Sequence, residues 1–184
     1  MLRKNVVISL AALFVLTLGA SVAARADSKQ VIDAAVADTL QRFTGANPAH
    51  SELLGKAVGV LVFPTITKAG VGIGGEHGDG ALLKHRETVA YYSLSSASVG
   101  ATLGAGQRSE VILFMTREAL SKFEASHGYS LGVDAQVALV STGAGGSYDS
   151  ETLKKPILGF VFDEKGLIGD ISLKGSKIKK IEPT

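Results

Sequence analysis

The sequence predicts an α+β domain that is mainly antiparallel β, with a strongly curved sheet or barrel-like body, an N-terminal amphipathic helix and one or two short helices. From residue 57 onward, runs rich in Val, Ile, Leu and Tyr alternate with turn residues, as strands do. Most of the 22 glycines lie in this region, and glycine inside strands marks bulges and tight bends. Before this region, the apolar residues recur at the spacing of a helix. A doubly wound nucleotide-binding arrangement is therefore not expected.

Residues 1–26 have the three-part pattern of a secretory signal. Arg3 and Lys4 give a positive start, residues 6–18 are almost unbroken in their apolar character, and small residues precede a cleavage point after Ala26. The apolar run is shorter than the ~20 residues that a spanning helix needs, so an uncleaved anchor is the less favoured alternative. We expect an exported protein, periplasmic or secreted and peripheral on a membrane, in which residues 27–184 form a single domain.

Charge and cysteine content exclude several classes of function. The chain has 19 basic and 17 acidic residues. Residues 1–26 hold three of the basic residues and no acidic one, which leaves 16 against 17 and a net charge of −1. A domain so close to neutral lacks the basic surface of a nucleic-acid-binding protein. Because the chain has no cysteine, disulfides and thiolate metal sites are excluded.

Three segments are predicted to be helical. From Ser28 to Thr44, apolar residues recur at helical spacing and form one stripe, with Gly45 as the stop. Asn47-Pro48 is typical of an N-cap followed by proline in the first turn, and this short helix is expected to run to about Leu54. A third helix is expected from Thr116, as N-cap, through Phe123.

The remaining elements are predicted strands, and Glu164–Gly166 is predicted to be a hairpin turn. The predicted strands are Val58–Phe63, Gly70–Gly75, Gly80–Lys84, Thr88–Ser95, Val99–Gly104, Glu110–Met115, Val133–Val140, Ile157–Phe162 and Leu167–Leu173.

No pattern makes a positive case for an enzyme, a metal or a cofactor. Gly70, Gly72 and Gly75 match G-x-G-x-x-G, but turn residues follow them where a dinucleotide site needs a helix. Glu76, His77, Asp79 and His85 match no metal-ligand template, and a polar turn between strands is the favoured interpretation. No serine lies in a nucleophile elbow, and no carboxylate pair is placed for acid–base work. A hydrolase or metalloenzyme is the weaker alternative.

Several motifs, taken together and in order, make the chain resemble the SYLF domain family from about Asp27 to Ile181. The motifs are Lys56–Pro64, Lys68–Gly75, Gly78–Leu83, Tyr91-Tyr92 with the serine and alanine run behind it, Val111–Thr116, Gly132–Asp134, Gly143–Gly146 and Gly159–Phe162. The resemblance implies a lipid-binding module, because eukaryotic SYLF domains bind phosphoinositides through an N-terminal amphipathic helix and basic residues. Some relatives also bind and bundle actin.

The resemblance also implies where lipid would bind. Lys68-Ala69-Gly70 matches the family's central motif, which makes Lys68 a candidate phosphate contact, and the predicted helix at 28–43 takes the place of the lipid-inserting helix. The predicted lipid-binding residues are Lys29, Val36, Leu40, Arg42, Phe43 and Lys68, with Val31 on the same helix face. The helix lacks the basic cluster that phosphoinositide selectivity requires, so general phospholipid binding transfers better than headgroup choice or actin bundling. The favoured alternative is that the apolar stripe of this helix packs on the sheet and does not lie in a membrane.

The leading hypothesis is a non-enzymatic, phospholipid-binding domain of the cell envelope, whose partner is a membrane surface. Lysines 174, 177, 179 and 180 form a C-terminal basic segment, which is typical of an anionic-lipid contact or of a charged strand edge. The alternative is a structural or stress-related module that binds an envelope protein without lipid. No small-molecule substrate is indicated.

Overall fold

The computed structural model describes residues 28–130, 137–141, 150–166 and 176–184. Four helices lie in these ranges: α1 (Lys29–Ala46), α2 (Pro48–Lys56), α3 (Arg117–Ala125) and the single turn α4 (Ser150–Leu153). No helix in the described ranges is both long and apolar enough to cross a bilayer.

The helix starts follow the predicted capping chemistry. Ser28 caps α1 by accepting from the Val31 amide, and the Asn47 carboxamide accepts from the Ala49 amide at 2.9 Å, with Pro48 next to it in the first turn of α2. Such caps satisfy backbone amides that have no partner within the helix. Thr116 caps α3 through the Ala119 amide at 3.2 Å. All three predicted helices are confirmed, although α1 continues past Gly45.

Six strands form one sheet: β1 (Gly59–Lys84), β2 (Glu87–Phe114), β3 (Tyr129–Ser130), β4 (Ala138–Ser141), β5 (Ile157–Gly166) and β6 (Lys177–Ile181). Strands β1 and β2 make an antiparallel hairpin along their whole length, from Lys84↔Glu87 to Gly59↔Phe114. Six short strands were predicted over this stretch, and that division is wrong. Register shifts, including one at Pro64, absorb residues that cannot join the ladder, so pairing continues where the sequence indicates turns.

The β1–β2 ribbon folds back on itself. A Cβ placed on Gly80 would lie 2.1 Å from the Val62 carbonyl oxygen and 2.7 Å from the Phe63 ring. The end of β1 therefore crosses its beginning at a distance that only glycine permits. The sheet curls into a half-barrel, and the predicted α+β, mainly antiparallel class is confirmed.

The other strands extend the second edge of β2. Strand β6 pairs with Tyr91–Ser95, and β5 pairs with 106–114 of β2, both antiparallel. Strand β3 adds to β6 antiparallel, and β4 adds to β5 in parallel. All of these strands depend on β2, which is the central element of the sheet.

Apolar clusters cover both faces of the curled sheet. One lies inside the curl and is closed by α3, whose Phe123 contacts Phe114 and Tyr129. The other lies under α1 and α2 on the outer face, where Phe43 meets Phe160. Two layers of helix on a curved sheet give this chain an adequate core without cross-links.

Two predicted turns are wrong, and two predicted strands lie largely outside the described residues. Residues 164–166 continue β5, because Asp163, at φ 55°, forms a bulge opposite Arg108 instead of a turn. The residues from Glu76 to Gly80, predicted to be a polar turn, are paired within β1. Residues 131–136 and 167–175 are not described; β4 matches the end of the strand predicted at 133–140.

Candidate functional site

The apolar stripe of α1 packs on the sheet. Ile32, Val36 and Phe43 are buried in the outer core. The Phe43 ring lies between Phe160, at a centroid distance of 5.0 Å, and the His50 ring, which stacks on it at 3.9 Å. In this structure, Val36 and Phe43 thus pack in the core between α1 and the sheet, as the favoured alternative expected.

His50 supports this packing as a neutral side chain. Burial lowers the pKa of His50, and the hydrogen bond to the Phe43 carbonyl raises it by less. The pKa of His50 is therefore lowered overall. Since a carbonyl oxygen only accepts, Nδ1 is the donor in that contact, at 2.5 Å. His50 is 1% exposed and joins α2 to α1 through this contact.

A groove of ≈ 1200 Å³ lies between α1, α2, the start of β1, the closed end of the β1–β2 hairpin and the start of α3. Its volume is somewhat larger than that of most small-molecule sites, which is roughly 300–1,000 Å³. The apolar side chains that line it come from all of these elements: Val36, Leu40, Leu54, Val60, Leu83 and Leu120. Because Leu40, Leu54 and Val60 are only partly buried, an apolar surface remains open to a ligand.

Basic side chains stand on the solvent side of the groove. Lys56, His85, Arg86 and Arg117 all line it and all are exposed. Lys56 pairs with Glu52 at 2.6 Å. In the described part of the chain, neither the Arg86 nor the Arg117 side chain forms a hydrogen bond or an ion pair. The groove therefore combines an apolar floor with two uncompensated guanidinium groups.

Both arginines occupy positions that stability alone disfavours. His85 and Arg86 form the two-residue turn of the ribbon with φ of 52° and 69°, where asparagine and glycine are usual. A left-handed conformation costs a side-chain-bearing residue roughly 1–2 kcal/mol. Arg117 begins α3, where the helix dipole repels a cation. Such placements accumulate at functional sites.

Asp33 is the acidic residue among the groove-lining side chains, and it is engaged. Its two oxygens accept from the Thr88 hydroxyl at 2.8 Å and the Tyr91 hydroxyl at 2.9 Å. Burial, and then the neighbouring Asp33 carboxylate, raises the pKa of Tyr91, so this phenol remains a donor. These bonds fix α1 to β2 and form one wall of the groove.

The predicted lipid-binding residues separate into groups. Val36 and Leu40 line the groove. Arg42 lies elsewhere on α1 and pairs with Asp38 and with Asp163, the latter at 2.7 Å. Lys29 is exposed at the start of α1. Phe43 lies in the core, and Lys68 is on β1.

Lys68 belongs to a buried ionic cluster between the two halves of the ribbon. Its Nζ lies 3.6 Å from Glu76, and the Arg108 guanidinium bonds both Glu76 and Glu110 at 2.8 Å. Burial acts to raise the pKa of Glu76. The hydrogen bonds from Arg108 and Ser96 and the charge of Lys68 act in the opposite direction and together outweigh burial, so the pKa of Glu76 is lowered. Lys68 thus has a structural counter-ion.

The four residues that were considered as metal ligands do not come together in the described structure. Glu76 faces Arg108, whereas His77 Nε2 lies 3.6 Å from Asp79, and His85 is in the hairpin turn. No group of three metal-ligating side chains forms within the described ranges. Gly70–Gly75 lies within β1, and no helix opens after it.

Comparison with known families finds one match in the later part of the chain. Residues 95–182 match the sequence model of a family described as Ysc84, Las17-binding protein actin regulator. This match covers 88 of the 184 residues and is consistent with the predicted SYLF family. The predicted family is confirmed, although the motifs noted before residue 95 lie outside the matched segment. A search of curated proteins finds no match.

SYLF domains are binding modules, associated with lipids and with actin-related partners. The matched segment contains Arg117 and Leu120 of the groove, whereas α1, α2 and the hairpin turn precede it. The sequence could not associate Arg86 with Arg117, because nothing local links them. The one sequence feature that pointed to this site is the His85-Arg86 pair, because these residue types are unusual at a two-residue hairpin turn.

Proposed function

We propose that the chain is a non-enzymatic phospholipid-binding domain of the cell envelope. In this proposal an acyl chain lies in the groove beneath α1 and α2, and an anionic headgroup meets Arg86 and Arg117. One observation carries the proposal: an apolar groove of ≈ 1200 Å³ has two arginines on its solvent side with no counter-ion among the described residues.

The chemistry of a phospholipid matches both parts of the groove. Removing acyl chain from water contributes about 0.8 kcal/mol per methylene group. Guanidinium groups bind phosphate oxygens in a bidentate manner. The lipid binding known for the SYLF family supports the class of ligand, and the signal-like residues 1–26 support the envelope.

This proposal revises how α1 takes part. Because Phe43 is fully buried, it reaches a membrane only if α1 leaves the sheet. Val36 and Leu40 instead act as groove-lining residues, and Lys29 and Arg42 lie away from the groove. The membrane surface remains the source of the ligand.

The test compares the affinity of the purified protein for short-chain phosphatidylglycerol and for phosphatidylcholine with the same chains, both below their micelle concentrations. We expect R86Q/R117Q to lower affinity for the anionic lipid about tenfold or more, since each charge-assisted bond contributes about 1.5–3 kcal/mol. Affinity for phosphatidylcholine should change less. Lys122→Gln, on the exposed side of α3, is the matched control.

Unchanged affinity of R86Q/R117Q for phosphatidylglycerol, in a variant whose circular dichroism matches that of the parent, would remove the arginines from the site. Failure of both lipids to bind the parent protein would favour the second candidate, an envelope protein-interaction module. The family description supports that candidate, because it names a Las17-binding actin regulator.

A further inference from the structure

The bend of the β1–β2 ribbon exposes two large aliphatic side chains. Val71 is 79% exposed and Ile73 is 70% exposed, the highest values among the large hydrophobic residues described. Burying side chains of this size is favourable by roughly 1.5–3 kcal/mol each, so their exposure at the end of a β ribbon calls for an explanation.

The bend is tightly built. A Cβ on Gly70 would lie 2.4 Å from the Gly74 Cα and 2.4 Å from the Ile73 carbonyl oxygen, so the backbone closes on itself there. The register places Val71 opposite Leu103 and Ile73 opposite Val99. Both side chains are therefore held at the bend by a paired backbone.

The surroundings of the bend are free of charge. Neither residues 69–75 nor residues 97–106 of the facing strand include an acidic or a basic residue. Polar groups begin just below: Lys68 pairs with Glu76, and the Gln107 amide donates to Thr67 at 3.4 Å. An apolar end above a polar collar has the polarity profile of a segment that enters the interface of a bilayer.

We infer that this bend, the ribbon tip (residues 69–75 and 97–106), inserts Val71 and Ile73 into a phospholipid surface. The tip is a second membrane contact, separate from the groove, because the groove lies at the turn where β1 and β2 connect, whereas the tip lies midway along both strands.

A lipid surface fits this tip better than a protein does. A stable protein–protein interface buries about 800 Å² on each partner. Among the side chains that the structure describes, the large exposed hydrophobic ones at the tip are Val71 and Ile73, and two such side chains do not provide that area. A bilayer needs no complementary shape and accepts a narrow apolar protrusion.

The test is co-sedimentation with phosphatidylcholine vesicles in high salt, which suppresses headgroup electrostatics. All proteins are expressed as the full chain, with their N-termini verified by intact mass. We expect V71S/I73S to lower the vesicle partition coefficient about tenfold or more, because two aliphatic side chains are lost from the lipid phase. Val89→Ser, at another exposed valine of the ribbon, should leave partitioning unchanged.

The outcomes distinguish this contact from the groove. Affinity of V71S/I73S for short-chain phosphatidylglycerol should equal that of the parent, whereas R86Q/R117Q should still partition onto phosphatidylcholine vesicles. Equal partitioning of V71S/I73S and the parent would overturn the inference. So would a parent protein that self-associates in sedimentation velocity and loses this association in V71S/I73S, because the tip would then bind a second copy of the chain.

Discussion

At the scale of single residues, the ionic cluster inside the ribbon is the most demanding feature. The Arg108 side chain is 2% exposed and that of Glu110 is 1% exposed. Arg108 bonds one oxygen of Glu110 twice, whereas the other oxygen, Oε2, is buried without a hydrogen-bond partner among the described residues. A buried acid with one unsatisfied oxygen favours protonation, because burial disfavours its charged form.

The pH dependence of stability should therefore report Glu110. Burial raises its pKa from 4.5 to about 6, despite the opposing charge of Arg108. The pKa of Glu110 in the folded state lies above its pKa in the unfolded state. The contribution of Glu110 to the free energy of unfolding is therefore complete below pH 4.5 and is lost as the pH rises through 6. We expect the free energy of unfolding of the parent, relative to Glu110→Gln, to fall by about 2 kcal/mol across this window.

Urea denaturation at several pH values measures this difference. Glu118→Gln is the control, because its carboxyl is exposed on α3. A constant difference between the parent and Glu110→Gln from pH 4 to pH 7 would show that Glu110 titrates normally. Lys68, Glu76 and Arg108 are present in both proteins. The pH dependence of the difference in unfolding free energy therefore reports the titration of Glu110 alone.

At the scale of elements, α1 has two functions on different faces. Its buried face, with Ile32 and Phe43, covers the sheet, while Asp33 fixes it to β2. The face with Leu40 borders the groove. A helix bound in this way is part of the domain core, and its removal would open the groove.

Replacement of Phe43 distinguishes a core helix from a helix that lies on a membrane. We expect Phe43→Ala to destabilise the protein by about 3–5 kcal/mol, as large aromatic deletions in cores do. The shift of the urea midpoint in the absence of lipid measures it. Val31→Ala is the control on the same helix, because Val31 is 53% exposed and should change stability by less than about 0.5 kcal/mol. Similar small effects of both substitutions would mean that α1 is not held on the sheet.

At the scale of the whole molecule, β2 organises the described fold. It pairs with β1 along one edge and with β5 and β6 along the other, so both halves of the chain depend on it. The SYLF match begins at residue 95, inside β2. The strands of the matched segment therefore pair with residues that precede it, and the single domain predicted at 27–184 stays a prediction.

Export is a prediction for the whole chain. Cleavage after Ala26 would remove 26 of the 184 residues and leave 158, beginning at Asp27. We expect intact-mass analysis of protein from the envelope fraction to give this shortened chain. Recovery of protein that retains residues 1–26 would favour the uncleaved anchor.

Local chemistry was sufficient to predict several elements. The caps at Asn47 and Thr116 and the amphipathic helix at 28–44 follow from short-range rules. The strand-rich body follows from composition, and the family from ordered motifs. Turn signals failed around residues 76–80 and 164–166, because bulges within a continuous ladder use the same residue types.

The sequence by itself thus determined three of the four described helices, the β-rich class and a family resemblance with which the match at residues 95–182 is consistent. Only the tertiary structure decided that the hairpin folds on itself, that Phe43 faces the sheet, and that Arg86 and Arg117 border one groove. The physical reason is that these contacts join residues far apart in the chain. Backbone approach at Gly80 and Val62, and the packing of two helices on a curved sheet, are set by the whole core and not by any local pattern.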